Sequence, residues 1–245
     1  MIAPAIHMAG ALHAGGRCLI EAFDLTLPAG RWSALLGPSG VGKTSLLRLI
    51  AALPCAARLE GRITAQDEAA IAPRVAMMAQ DDQLLPWATA RDNVTICARL
   101  RGERPQPARA AALLADVGLA GHETRKPSQL SAGQRQRVAL ARTLYEDRAI
   151  VLLDEPFSAL DAMTRHTMQD LAAGLLSGRT VVLITHDPAE AIRLADSAWI
   201  VTRTGVDPCP LPTTAPPRAP DATTTLTAQA ALLQRMRRHP APEAA

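Results

Sequence analysis

The chain has 245 residues, of which 48% are hydrophobic and 20% are charged, and its formal net charge is +3. This length and composition predict a globular protein with one large domain or two small ones. Only Lys43 and Lys126 among the 26 basic residues are lysines, and the arginines are spread along the chain. A nucleic-acid-binding surface requires clustered basic residues, so we expect no nucleic acid partner.

A membrane-spanning helix requires about 20 mostly apolar residues in a row, and the sequence contains no such segment. The uncharged stretch from Ile2 to Gly16 lacks the basic start of a signal peptide. The four cysteines are scattered, with no C-x-x-C pair to suggest zinc or redox chemistry. These features favour a cytosolic protein that reaches a membrane only through a partner.

Strand and helix patterns alternate along much of the chain. Predicted strands lie at 23–27, 32–36, 149–153 and 180–184, and predicted helices at 45–53, 161–176 and 188–195. The runs at 149–153 and 180–184 are continuously apolar and end in polar residues, which is typical of strands buried on both faces of a parallel sheet. This alternation predicts an α/β fold.

The region from about 88 to 146 has helical patterns and no strand signal. Thr89 and Asp92 form a capping box that opens one helix, which ends near Gly102, and a second helix is predicted at 108–117. We therefore expect a helical subdomain inserted into the α/β domain.

The chain changes character beyond Arg203. Six prolines lie between Pro208 and Pro220, mixed with threonines, and predict an extended linker. A short helix is expected at 226–238. The predicted organisation is therefore a domain at 1–203, followed by a Pro/Thr-rich linker and a short C-terminal helix at 204–245.

A phosphate-binding loop is predicted between the strand at 32–36 and the helix at 45–53, because the segment fits G-x-x-x-x-G-K-[ST]. Glycines let the backbone N–H groups surround phosphate oxygens, and the following helix adds its positive end. The alternative is a chance match, expected in about one random chain in a hundred. The expected nucleotide-binding residues are Gly37, Pro38, Ser39, Gly40, Val41, Gly42, Lys43, Thr44 and Ser45. Lys43 would reach the β- and γ-phosphates, and the Thr44 hydroxyl would bind Mg²⁺.

A second site pattern is the apolar run 150–153, which ends in Asp154 and Glu155. An acidic residue at the end of such a strand is the usual Mg²⁺ carboxylate of P-loop NTPases. Glu155 is placed to orient and deprotonate the water that attacks the γ-phosphate. The alternative is that both acids cap the helix start near Pro156.

Six ordered motifs resemble the ATP-binding subunits of ABC transporters over residues 1–203. Beside the two patterns above, the sequence Leu-Ser-Ala-Gly-Gln at 130–134 resembles the signature motif, and Ser-Ala-Leu-Asp at 158–161 resembles the D-loop. His186 matches the switch histidine, and Gln80 matches the Q-loop glutamine.

The resemblance implies an α/β P-loop NTPase (RecA-like) core with an N-terminal antiparallel β element and an inserted α-helical subdomain. It implies ATP and Mg²⁺ as ligands, with Thr44, Gln80 and Asp154 at the metal. His186 would contact the γ-phosphate, and Gln80 would link Mg²⁺ and the attacking water to the partner surface. It also implies a head-to-tail dimer with ATP between the P-loop of one copy and the signature motif of the other.

The signature motif has a physical basis of its own. Ser131 followed by Gln134 is a capping box that opens a helix, and a capped helix N-terminus attracts anions. The expected ATP contacts here are Ser131, Gly133 and Gln134, while simple helix capping is the open alternative. Ala132 replaces a family glycine, so we expect functional but weaker clamping of ATP.

The family usually stacks adenine on an N-terminal aromatic residue. His13 takes that position here, with an exposed turn histidine as the alternative. Imidazole stacks only weakly, and only the resemblance implies this role.

The sequence Leu-Leu-Pro-Trp at 84–87 resembles importer ATPases for nitrate, sulfonates, taurine and thiamine pyrimidine precursors. The implied partners are an integral membrane permease and, indirectly, a solute-binding protein, with the chain peripheral on the cytoplasmic face of the inner membrane. Trp87 would anchor the permease, or else pack under the helical insertion. The rival functions are a non-transport ABC ATPase with another macromolecular partner, and a nucleotide sensor without turnover. The first usually carries long insertions or basic arms, and the second would lack Glu155 or His186.

Overall fold

The computed structural model describes residues 3–238, which form two sheets and seven α-helices. The strands are β1 (Ile6–Ala14), β2 (Arg17–Leu27), β3 (Trp32–Leu36), β4 (Ala57–Ala65), β5 (Val75–Met78), β6 (Ile150–Asp154), β7 (Thr180–Ile184), β8 (Ser197–Val201) and β9 (Val206–Cys209). The helices are α1 (Lys43–Ile50), α2 (Ala90–Leu100), α3 (Pro107–Asp116), α4 (Ala132–Tyr145), α5 (Ala162–Leu175), α6 (Pro188–Leu194) and α7 (Thr223–Arg237).

The larger sheet has the strand order β5-β6-β7-β3-β8-β9, and every pairing in it is parallel except β8 with β9. All residues of β3, β6 and β7 are buried, which explains why these strands are apolar except at Ser33, Asp154 and Thr180. Because the three central strands are parallel neighbours, their carboxyl ends meet at one edge. The predicted α/β core is confirmed.

The smaller sheet is antiparallel and has the order β2-β1-β4. Its inward-facing side chains, such as Ile6, Leu12 and Leu25, share one apolar cluster with Leu46 and Leu47 of α1. This packing fixes the β1–β2 hairpin beside the loop that precedes α1. The N-terminal antiparallel element that the resemblance implies is therefore present.

Helices α2, α3 and α4 form the region that was expected to be a helical insertion, and its described residues 88–146 contain no strand. Thr89 caps α2, since its side chain accepts a hydrogen bond from the Asp92 N–H. The three helices bury Val94, Leu114 and Val138 against one another and against the core. The boundaries of the subdomain and of the 1–203 domain stay predictions.

The segment after Arg203 is packed on the core. Strand β9 pairs with β8 inside the stretch that the sequence predicts as linker, and α7 begins at Thr223, three residues before the expected start. Arg218 is buried and donates hydrogen bonds to the carbonyls of Ile192, Ala195 and Pro212, so it closes the end of α6. The prolines at 208 and 210 suppress a strand signal, although an edge strand tolerates them. Among the helices of residues 3–238, none is long and apolar enough to span a membrane.

Candidate functional site: a nucleotide pocket at the sheet edge

Three central strands bring the predicted site residues together at their carboxyl ends. Strand β3 leads into the loop before α1, β6 ends in Asp154 and is followed by Glu155, and β7 is followed by Thr185 and His186. Parallel pairing of β6 with β7 and of β7 with β3 makes these positions neighbours. Ligand sites of open α/β sheets lie at this edge.

The loop from Gly37 to Gly42 needs glycine at two positions for reasons visible in the structure. Gly37 has φ +139°, and a Cβ there would lie 2.3 Å from the Val201 carbonyl oxygen. Gly42 has φ +108°, and a Cβ there would lie 2.6 Å from Leu12 Cδ2. Both conformations are open to glycine and strained for other residues. The β1–β2 hairpin and β8 therefore hold the loop in a shape that only glycine fits.

Lys43 is the first residue of α1 and is only 8% exposed. Its Nζ donates hydrogen bonds of 2.8 Å to the carbonyls of Gly37 and Pro38. Burial lowers the pKa of Lys43, while the carboxylates of Glu155 and Asp154 oppose that shift. The ammonium is thus fixed against the loop that is expected to surround phosphate.

Asp154 is 2% exposed, and burial raises the pKa of its carboxyl, against which the hydrogen bond from Thr44 acts. Its Oδ2 atom is buried and has no hydrogen-bond partner within residues 3–238. A buried carboxylate oxygen of this kind is costly unless something binds it. Mg²⁺ takes one or two carboxylates together with substrate phosphates and waters, so Thr44 and Asp154 fit this ion.

Gln80 and His186, two further predicted site residues, both lie against Glu155. Gln80 Nε2 donates to Glu155 Oε2 over 3.4 Å, and His186 Nδ1 lies 3.2 Å from the same oxygen. Glu155 has φ +49°, a left-handed conformation that is rare outside glycine and that clusters at functional sites. Glu155 therefore has a strained backbone conformation, and Gln80 and His186 both contact its carboxylate.

The signature motif forms the exposed N-terminus of α4. The Ser131 side chain accepts from the Gln134 N–H over 3.2 Å, and Gln134 Oε1 accepts from the Ser131 N–H over 2.9 Å, so the expected capping box is present. Gly133 lies against the D-loop, since a Cβ there would be 3.3 Å from Leu160 Cδ2 and 3.4 Å from the Ala159 carbonyl oxygen. Ala132 is exposed, so its methyl group is accommodated within the chain. The ATP-binding role of these residues stays a prediction.

His13 and Trp87 have different surroundings. His13 lies near the end of β1, and its Nε2 is 3.5 Å from Glu60 Oε2. The neighbouring Leu12, on the other hand, contacts the phosphate loop at Gly42. The stacking of His13 on adenine stays a prediction. Trp87 is 70% exposed, so it does not pack under the helical insertion.

Several residues around the site were not found by sequence reasoning. Gln136, on the first turns of α4, donates to the Glu155 carbonyl over 3.1 Å. Arg135 and Arg142 of the same helix bind the segment that follows Gln80, through the Asp82 side chain and the carbonyls of Asp82 and Gln83. The only sequence signal for these residues is a polar side chain inside an amphipathic helix, which does not reveal its partner.

The fold and the pocket together define a P-loop nucleoside triphosphatase. A family profile described as "ABC transporter" matches residues 20–158. The aliphatic sulfonates import ATP-binding protein SsuB 1 of Rhodococcus jostii is 46% identical over 190 residues, covering 77% of this chain and 75% of that protein. An uncharacterized ABC transporter ATP-binding protein of Haemophilus influenzae is 45% identical over 188 residues, covering 76% of this chain and 77% of that one.

Solved structures of ATP-binding cassettes also match this chain. The dimeric structure of a bacterial ABC transporter cassette is 26% identical, with a TM-score of 0.70, and the match covers 87% of this chain and 99% of that one. A dimeric post-hydrolysis state of an ATP-binding cassette bound to ADP and Pi is 25% identical, with a TM-score of 0.71 and the same coverage. The chain belongs to the ABC transporter family, and it is an ATP-binding cassette of that family.

Proposed function

We propose that this cassette is the ATP-hydrolysing subunit of a bacterial importer for aliphatic sulfonates or a related small solute such as nitrate, taurine or a pyrimidine precursor. The printed names of relatives that are 40–46% identical support sulfonate import. The cassette would act as a peripheral protein on the cytoplasmic face of the inner membrane. Its partners would be an integral membrane permease and, indirectly, a solute-binding protein.

The observation that carries the proposal is the arrangement around Glu155. Its carboxylate is contacted by Gln80 and His186, and it follows the buried Asp154. Glu155 accepts a proton from the attacking water as that water forms a bond to the γ-phosphorus of ATP and the bond to the β,γ-bridging oxygen breaks. Gln80 orients the water, and His186 contacts the γ-phosphate. The products are ADP and inorganic phosphate.

The phosphate loop supplies binding and charge stabilisation. Its backbone N–H groups and the N-terminus of α1 bind the phosphates, and Lys43 exchanges its bonds to Gly37 and Pro38 for phosphate oxygens. Thr44, Gln80 and Asp154 would hold Mg²⁺, which would neutralise charge on the phosphates when bound.

A second copy of the chain completes each ATP site in this proposal. The N-terminus of α4 is exposed, and the Ser131 side chain takes up the Gln134 N–H, so the Ala132 and Gly133 N–H groups and the helix dipole would meet the phosphates of a nucleotide on another copy. The two cassette structures that match this chain are dimeric. ATP would thus clamp two copies head to tail, and its hydrolysis would release them.

The test is to measure phosphate release by the full chain, alone and reconstituted with its permease. Sulfonates, nitrate and pyrimidine precursors are then added with the solute-binding protein. We expect hydrolysis that depends on the permease and is stimulated by one class of solute. Hydrolysis unaffected by permease and by every solute would refute the import function while leaving the ATPase intact.

A further inference from the structure

Gln136 is a buried polar residue of α4 that makes its hydrogen bonds outside its own helix. It is 6% exposed. Its Nε2 donates to the Glu155 carbonyl over 3.1 Å and to Ser158 Oγ over 3.4 Å, while its Oε1 accepts from the Ala159 N–H over 3.0 Å. A single side-chain amide thus ties the signature helix to the segment that contains Glu155 and to the D-loop.

These bonds bear on the direction of the Glu155 side chain. The residue has φ +49°, which an L-residue keeps only when its surroundings hold it there. The Glu155 N–H donates to the Ile184 carbonyl over 3.0 Å, and the Glu155 carbonyl accepts from Gln136 and from Ser158 Oγ, the latter over 3.0 Å. Of these three bonds, the one from Gln136 is the one whose partner lies on a helix. Its position therefore helps to set where the carboxylate points.

The same turn of α4 carries the signature motif. Ser131 and Gly133 lie within five residues of Gln136, and Gly133 already packs against the D-loop. Arg135, which lies between Gly133 and Gln136, donates to Asp82 Oδ2 over 2.8 Å and so connects this turn of α4 to the segment after Gln80. A small rotation of the N-terminal end of α4 would therefore move Gln136, the D-loop and the segment after Gln80 together.

We infer that Gln136 is a positioning residue that makes the base of one ATP site depend on the occupancy of the other. The inference rests on the head-to-tail dimer of the proposed function. In that dimer a chain uses its Glu155 at its own P-loop site and its Ser131 at the partner's site. Gln136 connects the two within one chain. Docking of the signature helix on the partner's ATP aligns Glu155 in the first site, so the two sites hydrolyse cooperatively.

The test compares Gln136→Ala and Gln136→Glu with the wild-type full chain in its permease complex. Gln136→Glu keeps the length and the acceptor for Ala159 but removes the donor to the Glu155 carbonyl. We expect a wild-type Hill coefficient approaching two, the limit for two sites. Both variants should show a Hill coefficient near one and a kcat reduced by up to about 10²-fold, the scale of a misplaced reacting group. ATP affinity, measured by fluorescence titration, should change little.

Gln169→Ala is the matched control. Gln169 is another buried glutamine, 2% exposed, which accepts one hydrogen bond from Arg193 and is far along the chain from the signature motif. The Gln169→Ala variant should have a lower free energy of unfolding than wild type but the same Hill coefficient.

Three results would overturn the inference: a Hill coefficient and kcat of the Gln136 variants within twofold of wild type, a loss of ATP affinity in parallel with kcat, or a non-cooperative wild type. A wild type that hydrolyses no ATP would instead refute the proposed function itself.

Discussion

The two elements that we propose to bind phosphate, the loop before α1 and the N-terminus of α4, differ in how complete they are. The loop before α1 is enclosed by its own chain, with Gly37 against Val201, Gly42 against Leu12, and Lys43 buried on the loop carbonyls. The N-terminus of α4 is equally well ordered by its capping box, yet it is exposed. One chain therefore contains one built phosphate site and one open helix end, which is the asymmetry expected of a protein that completes its sites by pairing.

The largest effect should come from Glu155→Gln, which tests the enclosed site. Glutamine keeps the size and hydrogen-bonding reach of the side chain but cannot accept the water proton. We expect kcat for ATP to fall by about 10²- to 10⁴-fold, with ATP binding retained and ATP-stabilised dimers accumulating. Phosphate release measures kcat, and light scattering measures the dimers, which form only if ATP still binds. Glu21→Gln, at an exposed position of β2, is the control; turnover of Glu155→Gln near wild type would mean that Glu155 is not the base.

Ser131→Asp tests the open helix end. Aspartate caps helices as well as serine does, so α4 should stay folded. Its negative charge would face the partner's phosphates, and like-charge contact of this kind costs several kcal/mol. We expect ATP-dependent dimers to disappear in the Glu155→Gln background, while a single chain still binds ATP. Ser131→Thr should behave as wild type, and dimers that persist with aspartate would contradict the head-to-tail arrangement.

Trp87→Ala tests a surface that neither phosphate element uses. A tryptophan that is 70% exposed is a typical interface anchor, and its truncation should weaken permease binding by about 2 kcal/mol. Co-purification with the permease and the ATP affinity of the isolated cassette are the two measurements. Leu100→Ala removes a side chain that is 79% exposed at the other end of α2 and should have little effect. If the Trp87→Ala variant still co-purifies with the permease, Trp87 does not anchor that interface.

Ala132→Gly refines the comparison at the open end. The methyl group of Ala132 is exposed within the chain, so its only cost is expected where the partner's phosphate docks. Removing it should tighten clamping and raise ATPase activity a few-fold at low ATP. A variant with lower ATPase activity than wild type would contradict this account.

The smallest effect should be a change in pH dependence from Glu190→Gln. Glu190 Oε2 accepts from Thr185 Oγ1 over 2.6 Å beside His186, and burial raises the pKa of Glu190. The folded state binds the Glu190 proton more tightly than the unfolded state does, so protonation of Glu190 stabilises the fold. This stabilisation is fully present below about pH 4.3 and is lost as the pH rises through the folded pKa. The difference in unfolding free energy between wild type and Glu190→Gln should therefore fall with pH across that window, as urea titrations would show.

Glu103→Gln is the control of opposite sign. Hydrogen bonds from Arg101 lower the pKa of this exposed carboxyl. Its contribution should therefore grow as the pH rises toward the ordinary glutamic acid pKa. Equal slopes for Glu103→Gln and Glu190→Gln would contradict both assignments.

Much of the fold and of the enclosed site was predictable from local patterns. The phosphate loop lies within eight consecutive residues, and the capping box of α4 within four, so each is visible in one short window of sequence. The buried strands β3, β6 and β7 were visible for a similar reason, since burial on both faces leaves a run that is almost entirely apolar.

Other features have no local signature. Strand β9 contains Pro208 and exists because β8 offers it an edge to pair with. Arg218 closes the end of α6 with bonds that cross more than 20 residues of sequence. Gln136 reads as an ordinary helical residue until α4 is packed beside Glu155.

The sequence by itself determined the class of protein, the nucleotide loop and the acidic pair that follows β6, because each depends on hydrogen bonds and burial patterns between near neighbours. Only the tertiary structure decided that Trp87 is exposed, that the tail packs on α6, and that Gln136 reaches Glu155. These depend on which surfaces meet after the elements form, and one side chain's type and spacing do not specify its distant partner.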